Sequence, residues 1–175
     1  KEKEDVKRRL EELIRRLEEH SKKVKRDLER VIKELDDEVR RVKERHEDVI
    51  RRLKDRDTSE KVLRDEAERI RRESEEINKR LEEKAERIKK EADDLLRENE
   101  ERVKKIEREL ERLRTEGKLD DDVVRRVKEL LRRVLEHTRK VVEDVRRLLK
   151  RIREKLEEIS RKLDELLRRI EEKRR

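Results

Sequence analysis

Leu10-Glu11-Glu12-Leu13-Ile14-Arg15-Arg16-Leu17 decides the fold of this chain. The same pattern returns eighteen residues later as Leu28-Glu29-Arg30-Val31-Ile32-Lys33-Glu34-Leu35, and again at His46, Val49, Ile50 and Leu53. Spacings of three and four residues place the apolar members on one face of a helix. Eighteen residues complete five turns at about 3.6 residues per turn, so a seam with this period runs straight along its helix, whereas a seven-residue repeat would coil it to the left. The middle third keeps the beat through Ile70, Ile88 and Ile106, through Ala67, Ala85 and Val103, and through Ile77, Leu95 and Leu113. The last third keeps it through Val127, Val145 and Leu163, through Leu130, Leu148 and Leu166, and through Val134, Ile152 and Ile170. Natural coiled coils seldom hold such a beat without drift, and the sequence therefore has a computed rather than an evolved character.

Periodicity overrides composition here. Of 175 residues 64% are charged and 29% hydrophobic, a balance that alone would point to disorder. The apolar residues, however, are almost all Leu, Ile, Val and Ala at helical spacing, set among Glu, Lys and Arg, which are good helix formers. There is no Cys, hence no disulfide framework and no thiolate chemistry. No apolar run is long enough for a membrane span or a signal peptide, so the expected protein is soluble, and cytoplasmic in a bacterial host. The net charge of +8 is divided as +4 over residues 1–56, −2 over 57–119 and +6 over 120–175. Both signs are interleaved in every segment and there is no aromatic residue to stack on bases, which argues against specific nucleic-acid binding.

Two interruptions divide the chain into near-equal thirds. Around Arg56, Asp57, Thr58 and Ser59 the pattern lapses, and capping oxygens precede the apolar Val62 and Leu63. The second break, Thr115-Glu116-Gly117-Lys118-Leu119-Asp120, offers the only glycine as a left-handed helix stop and Asp120 as the next N-cap. Helices are thus expected over about 2–56, 59–115 and 121–173, each roughly 80 Å long at 1.5 Å per residue. Loops this short make neighbours antiparallel. The apolar stripes span only about 100° to 120°, enough for two neighbours but not for a fourth helix. The predicted fold is all-α: a straight, antiparallel, up-down-up three-helix bundle forming a long rod, one domain over residues 1–175, monomeric and hyperstable, with no partner required.

Long straight helices, idealised loops, a Leu/Ile/Val core and a Glu/Lys/Arg surface make the whole chain resemble the parametrically designed three-helix bundles of de novo protein design. Spectrin-type repeats, the nearest natural alternative, have shorter helices, a heptad beat and usually a buried tryptophan. The resemblance to designed bundles implies a scaffold without a natural biochemical activity.

Polar residues inside the apolar stripes are the candidate functional residues. His46 occupies the slot of Leu10 and Leu28, Asn99 that of Leu63 and Leu81, and Ser74 that of Ala92 and Leu110. Asn78 aligns with Leu96, Ser160 with Val124 and Val142, Thr138 with Leu156, and Ser21 with Val39, while His20 and His137 lie at the stripe rims. If the turns act as pivots, residue i of the first helix faces about 115 − i on the second and about i + 121 on the third. Asn99 then falls within about a turn of His20, Ser21, His137 and Thr138, giving one polar layer. Ser74, Asn78 and Ser160 give a second, with His46 about 7 Å further along the axis. A buried amide or imidazole without a partner costs about 1–3 kcal/mol, but bonded clusters penalise every shifted register. The layers are expected to act as hydrogen-bond networks that set helix pairing; the plainer alternative makes the rim histidines and small hydroxyls half-solvated fillers.

Other chemistry lacks its residues. The di-metal bundle signature needs Glu three residues before His, and Leu17, Lys43 and Val134 stand there instead. No histidine pair has i, i+4 spacing, and no glycine-rich phosphate loop exists, so no catalytic residue, metal or cofactor is expected. Two functions remain: a scaffold whose polar layers set pairing, possible also as the parent of a three-component heterotrimer, or a binding or pH-responsive switch with a displaceable helix or protonatable buried histidines. In the second, His46 should dominate because it is central in its stripe.

Overall fold

A computed structural model describes residues 2–53 and 59–173 of the chain. It contains three α-helices: α1 (Glu2–Leu53), α2 (Glu60–Thr115) and α3 (Asp121–Lys173), of 52, 56 and 53 residues, with no strand among the described residues. The turn expected at Arg56, Asp57 and Thr58 lies outside the described residues, as do the side chains of Val49, Ile50, Leu53, Leu63 and Ile170. Charges follow the helix dipole: Glu2, Glu4 and Asp5 open α1 and Asp121 and Asp122 open α3, while Arg51 and Arg52 close α1 and Arg112 and Arg114 close α2.

The second turn forms as its sequence predicts. Gly117 has a φ of 71°, in the left-handed region. The Lys118 amide donates to the Leu113 carbonyl at 2.9 Å and the Gly117 amide to the Arg114 carbonyl at 3.1 Å, the paired bonds of a Schellman stop that satisfy two of the last helical carbonyls. Leu119 is buried just beyond. The Asp120 carbonyl accepts from Val124 N at 3.1 Å, as an N-cap carbonyl should, and its carboxylate receives Lys3 Nζ at 2.9 Å.

Contacts gather into two units, each built from segments of all three helices. The first unites α1 up to Arg30, α2 from Ile88 and α3 up to Arg146; the second unites α1 from Val31, α2 up to Arg87 and α3 from Arg147. Within each unit the pairing is antiparallel between consecutive helices. In the second unit Glu38 meets Lys84, Arg45 meets Glu73 and Arg52 meets Glu66, one number falling as the other rises. The α1–α2 register differs by about one turn from the pivot estimate, because Asn99 rather than a residue near 94 stands opposite Ser21. A midpoint estimate ignores the axial offset that seats side-chain ridges in the facing grooves.

In the first unit Leu10, Ile14 and Leu17 of α1 pack in one cluster with Val103, Leu110 and Leu113 of α2 and with Val127, Leu131 and Val134 of α3. The second unit buries Ile32, Leu35 and Val39 of α1, Leu81 and Ala85 of α2, and Ile152, Leu156 and Ile159 of α3. The stripes are narrower than the repeat implies. Leu13 and Leu148, both members of repeating slots, are 47% and 36% exposed. On a wheel of about 100° per residue Leu13 lies some 60° from Leu10, at the edge of its stripe, where the neighbouring helix no longer covers it.

Candidate functional site

Asn99 lies within the first unit, fully buried, with Ser21 and Thr138 buried beside it. Its side-chain amide Nδ2 donates to Ser21 Oγ at 2.9 Å and to Thr138 Oγ1 at 3.0 Å, so one residue of α2 bonds both other helices. Each hydroxyl is already a donor within its own helix: Ser21 Oγ to the Leu17 carbonyl at 2.9 Å and Thr138 Oγ1 to the Val134 carbonyl at 2.8 Å. Hydroxyls committed in this way present lone pairs to the layer, which sets the orientation of the Asn99 amide. The opposite orientation would leave two N–H groups unpaired; the one adopted leaves only Oδ1, which has no hydrogen-bond partner. The Leu17 and Val134 carbonyls were not among the sequence candidates, although a hydroxyl four residues after a helical carbonyl is a legible signal for this back-bond.

His20 and His137 do not join this layer. Both are exposed, which corrects their inclusion among buried candidates. Each follows an edge leucine by seven residues, His20 after Leu13 and His137 after Leu130, and seven residues fall about 20° short of two full turns at 100° per residue. That drift carries each ring past the edge of its apolar stripe.

The second unit holds a smaller arrangement. Asn78 Nδ2 donates to Ser160 Oγ at 3.3 Å, a long bond between two half-buried side chains. Ser74 is buried, but no hydrogen bond joins it or His46 to that pair among the described residues, so the expected four-residue layer reduces to one bond. Asn78 Oδ1 and His46 Nε2 are buried without partners.

His46 itself is 2% exposed, as its central slot predicts. Burial lowers its pKa below the ordinary imidazole value, the Lys162 ammonium on α3 lowers it further, and Glu47 opposes them. Lys162, held at 3.2 Å by Glu158, was not foreseen, because the wheel of one helix does not show which charge its neighbour brings. No group of three or more His, Cys, Asp or Glu side chains gathers in metal-binding geometry among the described residues. No helix of the described residues is long and apolar enough to cross a membrane. Comparison of the chain with protein-family models, curated proteins and solved structures finds no match.

Proposed function

We propose that this chain is a designed structural scaffold, monomeric and without catalytic activity, in which buried polar residues determine which helices pair and in what register. The carrying observation is the donation of both Asn99 amide protons to hydroxyls on the two other helices. Sliding any one helix by a residue moves its polar group away and leaves an amide donor in hydrocarbon, at a cost of about 1–3 kcal/mol. The eighteen-residue beat, held through all three helices, supports the designed origin. Idealised loops and long packed seams support a melting temperature above about 90 °C.

The test is assembly of α1, α2 and α3 as separate peptides, followed by native mass spectrometry and sedimentation. The parent set should give one heterotrimer, and the set carrying Asn99→Leu should add homomeric or misregistered species. Equal uniqueness of both sets would remove the pairing role. A pH-responsive switch is a second reading, favoured by the buried and unpartnered His46 Nε2.

A further inference from the structure

In the first unit Leu13, Leu17 and Ile106 line a groove of about 450 Å3 at the α1–α2 seam, together with Arg16 and His20 from α1 and Arg102 and Lys105 from α2. No carboxylate is among its lining residues. Ion pairs elsewhere bridge helices with opposite charges: Lys84 to Glu38 and Arg52 to Glu66 between α1 and α2, Arg146 to Asp93 and Lys128 to Glu111 between α2 and α3. At this groove both banks carry the same sign. Arg16 is held by Glu12 of its own helix at 2.9 Å. Along α2 Arg97 pairs with Asp94 and Arg112 with Glu109, whereas Arg102 and Lys105 make no ion pair among the described residues.

Two physical demands therefore meet in one place. Leu13 keeps apolar surface in water, and across the seam from it Arg102 and Lys105 meet no carboxylate in the groove lining. We infer that this groove binds a single-chain anionic amphiphile, an alkyl carboxylate whose chain lies on Leu13, Leu17 and Ile106 and whose head group is held by Arg102 and Lys105. From Leu13 to His20 the groove runs roughly 10 Å at 1.5 Å per residue, a length that suits a chain of about eight to ten carbons. A docking helix would need apolar anchors over several turns, and three apolar side chains do not supply them.

The probe is decanoate, titrated below its micelle concentration into the full chain and followed by methyl NMR. Saturable shifts are expected at Leu13, Leu17 and Ile106. Reversal of both cations, Arg102→Glu with Lys105→Glu, should weaken binding roughly tenfold or more. The same change of net charge on the exposed α3 surface, Lys150→Glu with Arg151→Glu, should weaken it far less. Decyltrimethylammonium should show no saturable binding. Helical circular dichroism and the denaturant midpoint report that each variant is folded. The inference is overturned by non-saturating shifts spread over both units, by equal affinity for the cationic amphiphile, or by equal losses in the two charge-reversed variants.

Discussion

Ser21 Oγ lies 2.9 Å from the Asn99 side-chain nitrogen, and its own proton is already directed to the Leu17 carbonyl. The serine is therefore an acceptor in the layer and depends on Asn99 for nothing. Asn99 depends on it: without that oxygen one buried N–H is unpaired.

This asymmetry predicts opposite outcomes for the two residues. Asn99→Leu removes the partnerless Oδ1 and leaves both hydroxyls bonded in their own helices, so stability should hold or rise by about 1–2 kcal/mol. Ser21→Ala should cost about 1–3 kcal/mol in the parent and clearly less in the Asn99→Leu background. Guanidinium unfolding of the four proteins measures the coupling; equal Ser21→Ala costs in both backgrounds would contradict the bonding described.

A second prediction follows from His46. Its folded pKa is lowered by burial and by Lys162, so between the folded value and the unfolded value of about 6.5 the unfolded chain binds more protons. Stability from this site is present above about pH 6.5 and is lost as pH falls toward the depressed folded pKa. The guanidinium midpoint should fall more between pH 7.5 and pH 4.5 in the parent than in His46→Leu. Carboxylate protonation is common to both proteins, so identical falls would show that His46 contributes nothing to the acid response.

Gly117 provides a third. Its φ of 71° disfavours any side chain, yet a Cβ built there meets nothing within 4 Å. Gly117→Ala should therefore cost only the left-handed backbone term, about 1–2 kcal/mol, and Gly117→Asn less. A larger loss for alanine in equilibrium unfolding would indicate a steric conflict that the turn does not show.

The edge and the centre of the stripe should behave differently under truncation. Leu110 is fully buried, and Leu110→Ala should cost about 2–5 kcal/mol. Leu13→Gln, at a half-exposed edge, should change stability by less than about 1 kcal/mol. Comparable losses at both sites would mean that the Leu13 edge is covered in solution, for instance by a second copy of the chain, which sedimentation at high concentration would reveal.

The presence of three helices, the Gly117 stop and the central burial of Asn99 and His46 were legible in the sequence, because each depends on local geometry. A period of eighteen residues repeats direction on a helix, and one glycine can adopt a φ closed to its neighbours. By itself the sequence thus determined three amphipathic helices, the turn at Gly117 in detail, and the polar positions at the centre of each stripe. Only the tertiary structure decided how wide each stripe is, since coverage at the edge depends on the approach of a neighbouring helix. That is why Leu13 is exposed, whereas His20 and His137 already lie past the stripe edge on the wheel, one residue before the buried Ser21 and Thr138. Register also had to wait for the fold. The seating of one helix against the next set Asn99 opposite Ser21 and Thr138, brought Lys162 toward His46, and placed Arg102 and Lys105 beside an uncovered leucine. Such relations depend on the axial offset between helices, a quantity fixed by the packing of many side chains at once and carried by no single stretch of the chain.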